Sequence, residues 1–104
     1  MGDRISIRFV NKRKGMSVVL FSHWDGKELL KEAKNYLKQL PKGSHTTPLD
    51  RREPKTVMVD FIRHLTTGFS VVDSNYYLGV NENDGDNSDN GHYDIDVMTG
   101  KVKQ

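Results

Sequence analysis

A chain of 104 residues with a net charge of +2 has room for one domain, spanning 1–104. It contains no cysteine, which excludes a disulfide framework and a cysteine-ligated zinc site. No stretch reaches the length of a membrane span and Met1–Val10 lacks a signal-peptide core, so the expectation is a cytoplasmic protein with no membrane contact.

The apolar residues, 35% of the chain, are gathered into periodic runs, which separates the sequence from a disordered one. The small net charge hides an asymmetry. Residues 1–40 hold nine Lys/Arg against four Asp/Glu, whereas residues 73–104 hold two against seven. In a compact fold such halves face each other, so charge alone does not call for nucleic acid.

Arg4–Val10 alternates, with Ile5, Ile7 and Phe9 opposite Arg4, Ser6 and Arg8, the pattern of a half-buried strand. Asn11–Gly15 suits a hairpin turn. Met16–His23 then holds Val18, Val19, Leu20 and Phe21 without alternation, as a strand covered on both faces does. A helix follows. Asp25 and Glu28 have the spacing of a capping box, Trp24 and Leu29 that of a hydrophobic staple. Leu29, Leu30, Ala33, Tyr36, Leu37 and Leu40 share one face, and Pro41 and Gly43 end the element.

Lys42–Glu53 reads as a loop. Pro54 opens a second helix whose stripe is Val57, Met58, Phe61, Ile62 and Leu65, with Gly68 after it. Asp60 falls opposite that stripe, where solvent is expected. Phe69–Asp73 is a candidate short strand. Tyr76–Val80 reads as a strand interrupted by Gly79. Residues 81–91 hold only Asn, Asp, Glu, Gly and Ser, and form a loop. His92–Met98 alternates again, and Thr99–Gly100 turns into a basic tail. Hairpins at both ends and helices between them predict an α+β domain of order ββααββ. Its sheet would be mostly antiparallel, with both helices on one face.

Three constellations could carry chemistry. Asp86-Asn87-Ser88-Asp89-Asn90-Gly91 resembles the first half of a calcium loop, with Asp94 at the ninth position. The twelfth position, where a bidentate Glu belongs, is Val97, and a strand follows where a calcium hand has a helix. Turn chemistry explains the same composition. The metal reading would use Asp84, Asp86, Asp89 and Asp94 and bind calcium or another divalent ion.

Second, Ser22-His23-Trp24-Asp25-Gly26 lies at a strand-to-helix junction. Capping accounts for most of it and leaves His23 unexplained. If the strands are neighbours, His23, His92, Asp94 and Asp96 could converge on a divalent metal, and His23, Asp25, His92 and Asp96 stand as a further candidate site. Third, Arg8, Lys12, Arg13, Lys14, Lys27, Lys31, Lys34, Lys38 and Arg51–Arg52 could meet phosphates, but a helix's solvent face gives such lysines too. No Gly-x-Ser-x-Gly elbow or other catalytic constellation is visible. The resulting expectation is a non-catalytic binding or regulatory module that contacts another macromolecule, protein before nucleic acid, with no resident cofactor. The alternative is a divalent-metal-binding protein, even a metal-dependent hydrolase, built on loop 81–91.

Overall fold

The computed structural model describes residues 2–40, 47–68 and 75–104. Its strands are β1 (Ile5–Asn11), β2 (Gly15–Met16), β3 (Val19–Ser22), β4 (Tyr76–Gly79), β5 (His92–Asp96) and β6 (Val102–Lys103); the helices α1 (Glu28–Gln39) and α2 (Pro54–Thr66) fall between β3 and β4. The architecture is α+β, as the periodicities predict. Expected features at Pro41, Gly43 and Phe69–Asp73 lie outside the described residues.

β1 is the hub of a mixed, six-stranded sheet ordered β4-β3-β1-β5-β6, with β2 also paired to β1. The expected N-terminal hairpin forms, Ile5 facing Ser22 and Ile7 facing Leu20. Its returning limb is split: the Ser17 N–H donates to the Phe9 carbonyl at 2.9 Å, but the Phe9 N–H donates to the Ser17 hydroxyl at 3.0 Å in place of a backbone carbonyl, and so β2 separates from β3. The expected pairing of Tyr76–Val80 with His92–Met98 does not occur. β4 pairs antiparallel with β3, while β5 crosses to the far side and runs parallel to β1. The C-terminal hairpin is instead β5–β6, joined by a turn in which Asp96 Oδ1 accepts from the Met98 and Thr99 N–H groups.

This topology explains the two readings of the strands. Ile5, Ile7 and Phe9 of β1 join Leu20, Tyr93 and Ile95 on the helix side, where Leu29, Ala33, Tyr36, Leu37, Val57, Met58 and Phe61 cover them. Phe61 meets Phe9 edge-on at 5.5 Å. Each such buried side chain contributes roughly 1.5–3 kcal/mol of apolar transfer. Val19 and Phe21 are equally buried but point to the opposite face. There the 80–91 connection is the cover, because a chain going from β4 to β5 must pass over β3 and β1. A Cβ on Gly85 would lie 2.6 Å from the Tyr77 ring and 2.8 Å from Phe21, so only glycine lets the backbone settle on those rings.

α1 does not start as a capping box. Its N-cap is Lys27, in helical conformation and without a side-chain cap; Trp24 is 53% exposed, so no staple forms. Gly26 takes φ +56° and turns the chain into the helix, while Asp25 is engaged elsewhere. α2 opens on Pro54 as expected. Asp60 is only partly exposed: it accepts from the Tyr36 hydroxyl at 2.6 Å, which ties the helices together, and from Arg63 at 2.8 Å. The Arg63 hydrogen bond, outweighing burial and helped by Tyr36, holds Asp60 below the usual carboxylate range. Burial, and then Asp60, push the Tyr36 phenol far above its usual value. Among the described residues no helix is long and apolar enough to cross a membrane.

Candidate functional site

The aspartates of the 81–91 loop are engaged by the loop's own backbone and by Arg4. Asp84 Oδ2 accepts from the Val80 and Asn81 N–H groups at 2.6 and 3.0 Å. Asp86 accepts from the Ser88 N–H and pairs with Arg4 at 3.2 Å; Asp89 accepts from the Arg4 N–H at 2.9 Å. Hydrogen bonds from Ser88, and then the charge of Arg4 and of His23, hold the Asp86 carboxyl low. These are the side-chain-to-backbone bonds that build turns from Asn and Asp. Among the described residues no group of three or more His, Asp or Glu side chains is arranged to hold a metal ion.

Asp94 belongs to a different network, on the sheet face under the loop. The parallel register sets Ser6 beside His92 and Arg8 beside Asp94. Arg8 grips Asp94 with two bonds of 3.0 Å, the fork geometry that suits a carboxylate. His92 Nε2 lies 2.8 Å from Asp94 Oδ1, and its Nδ1 lies 2.8 Å from Ser6 Oγ, which also accepts from Asn87 at 2.9 Å. Every contact is satisfied when Nε2 carries the proton, donating to Asp94, and the Ser6 hydroxyl donates to Nδ1. Burial works against the Asp94 charge, but the hydrogen bonds from Arg8 and His92 overcome it and depress its pKa.

Ser, His and Asp in a chain invite comparison with nucleophilic catalysis. Here the hydroxyl sits on Nδ1 and the carboxylate on Nε2, the reverse of the serine-protease arrangement. Ser6 has no exposed surface and its oxygen already serves two partners. A nucleophile needs an approach path; this hydroxyl has been built over by Asn87. The relay pins the loop to the sheet.

The other end of β3 is built differently. Asn75 Oδ1 accepts from Ser22 Oγ and from the His23 and Trp24 N–H groups, all within 3.2 Å. Asp25 receives Asn75 Nδ2 at 3.3 Å and the Tyr76 hydroxyl at 2.6 Å. Asp3 joins from β1's side, its N–H donating to the His23 carbonyl at 2.7 Å. This clamp fixes the backbone of residues 22–25 and so sets where its side chains leave the chain. They form an aromatic row: Phe21 stacks on Tyr77 at 4.9 Å, Tyr77 lies 5.1 Å from His23, and His23 lies 5.7 Å from Trp24. The row begins in the core and ends on the exposed indole.

The residues singled out from sequence are thus distributed over four places, with Asp84, Asp86 and Asp89 in the 81–91 loop. His23 and Asp25 lie at the clamp, His92 and Asp94 in the relay, and Asp96 in the β5–β6 turn. They do not converge. Asn75, Tyr76 and Tyr77, which complete the clamp and the row, had no local signal; only the β3–β4 register brings them beside His23. Compared with protein-family models, curated proteins and solved structures, the chain shows no match.

Proposed function

We propose that the protein is a small non-catalytic binding module that engages a protein partner through the ledge of His23, Trp24 and Tyr77. The observation that carries this reading is the half-exposed Trp24, the only tryptophan in the chain, presented on backbone that Asn75 clamps. An exposed indole costs solvation and returns it when a partner covers the ring; tryptophan and tyrosine dominate the hot spots of interfaces for that reason. Holding the ring in advance reduces the entropy lost on association.

A protein suits this ledge better than nucleic acid. Arg4 is already paired with Asp86 and Asp89, and Asp25, next to Trp24 in the chain, is a carboxylate held by Asn75 and Tyr76. A phosphate backbone would meet those carboxylates at the ledge.

The single tryptophan supplies its own assay. Proteins retained by the immobilised chain are purified and titrated, and Trp24 emission should shift to the blue as each binds. Trp24→Ala should weaken binding about 30-fold, the roughly 2 kcal/mol of a hot-spot residue. Partners that bind wild type and Trp24→Ala within twofold of one another would remove the ledge as the interface.

A further inference from the structure

At the opposite end of the sheet, where Val10 of β1 lies beside Asp96 of β5, the surface opens into a cleft of about 720 Å³. Lys34, Leu37 and Lys38 of α1 line one side, Asp50 and Arg52 another, and Met98, Thr99 and Gly100 of the β5–β6 turn the third. The size falls in the range of small-molecule sites, roughly 300–1,000 Å³. From this arrangement we infer a second binding site, for a small phosphate ester with an apolar or planar body.

The charge of the lining carries the inference. Among the described residues of the lining, three cations meet one acid, Asp50. Lys34 and Lys38 are one helical turn apart and so share a face. The acids of α1 are committed elsewhere, Glu28 to Lys31 and Glu32 to His64, and among the described residues no carboxylate pairs with Lys34 or Lys38. Two adjacent ammonium groups without a counter-charge raise each other's energy, and an anion between them relieves it. A tetrahedral dianion can satisfy both, because the lysine ammonium acts as a point charge with three donors.

Arg52 adds a second argument. It is the only non-glycine residue with positive φ (57°) among those described, and its guanidinium donates to the Val97 carbonyl at 2.8 Å and, at 3.5 Å, to that of Leu40. The fork therefore links the residue that follows β5 to the end of α1. A guanidinium has five N–H donors, so these two bonds do not exhaust it. Strained backbone of this kind is retained where the surroundings fix it, and it clusters at ligand sites. Leu37 and Met98 supply the apolar part of the lining; a thioether adapts to flat or irregular bodies. A phosphate ester thus finds its anion at the lysines and its body against Leu37 and Met98.

The test is an amide NMR titration of the intact chain with adenosine monophosphate, inorganic phosphate, adenosine, and single-stranded oligonucleotides of increasing length. Saturable shifts with the monophosphate at Lys34, Lys38, Arg52 and Met98–Gly100, larger than those with phosphate or adenosine alone, support the site. Lys34→Gln and Lys38→Gln preserve helix propensity on an exposed face, and each should weaken the monophosphate about tenfold, or 1.4 kcal/mol. Flat spectra at millimolar monophosphate overturn the inference, as do shifts unchanged in both lysine variants. Affinity that rises steadily with oligonucleotide length and exceeds that for the monophosphate also overturns it, in favour of a nucleic-acid surface. Trp24→Ala should leave these titrations unchanged, which separates failure here from failure at the aromatic ledge.

Discussion

Replacing Asp94 with Asn tests whether the relay under the loop stabilises the fold. The substitution keeps the shape and one acceptor oxygen, but leaves the Arg8 guanidinium without its counter-charge on a face that exposes only 16% of the Arg8 side chain and 28% of the Asp94 side chain. Breaking a fully buried pair costs roughly 3–5 kcal/mol and an exposed one about 0–1. At this partial exposure, with an amide oxygen still available to Arg8 or His92, about 2 kcal/mol is expected. For a domain of this length about 4–5 °C is lost per kcal/mol, so the melting temperature at pH 7 should drop by roughly 9 °C.

The pH dependence follows from the depressed pKa of Asp94. A carboxyl held lower in the folded state than in the unfolded chain adds stability above its unfolded value, near 3.9. That contribution is lost as the pH falls from about 4 through the folded pKa. Chemical denaturation of both proteins between pH 7 and pH 2.5 should show the gap closing below about pH 4. A gap that stays constant across this range, or one under 0.5 kcal/mol at pH 7, would refute the account and reduce Arg8–Asp94 to a solvated ion pair.

Two further substitutions probe the loop cover and the clamp. Gly85→Ala places a methyl group against Tyr77 and Phe21; it should lower stability by about 1–3 kcal/mol, read by denaturant unfolding, and an unchanged midpoint would mean that the loop does not rest on the rings. Asn75→Ala removes the acceptor shared by Ser22, His23 and Trp24; about 2 kcal/mol should be lost, with faster amide exchange at His23 and Trp24, and unaltered exchange there would show that the ledge is held by something else.

Much of the fold was legible because period carries it. The 3.6-residue stripes located both helices, and the alternation of β1 and β5 assigned Ile5, Ile7, Phe9, Tyr93 and Ile95 to one face before any partner was known. The unbroken Val18–Phe21 run implied cover on both sides, which holds for Val19, Leu20 and Phe21, whereas Val18 is 42% exposed. What failed was long-range. Nothing in Tyr76–Val80 or His92–Met98 encodes whether they pair with each other or flank the first hairpin, since an 11-residue loop can do either. The capping box failed for a related reason. Asp25 has the right spacing to Glu28, but Asn75 and Tyr76 compete for its carboxylate from 50 residues away. Asp60 was misplaced because its partner Tyr36 lies on another helix.

The central position of β1 has a consequence for biosynthesis. Its hydrogen-bonding partner on one side, β5, lies some 86 positions further along the chain. A ribosome therefore releases the hub of the sheet long before the strand that completes it, and the nascent β1–β3 hairpin waits with one backbone edge unprotected. Loop closure over that distance is slow, and unpaired edges invite association between nascent chains. The lysines and arginines crowded into residues 1–40 carry a strong like charge in that interval, so emerging chains repel one another until the acidic C-terminal third arrives to neutralise them.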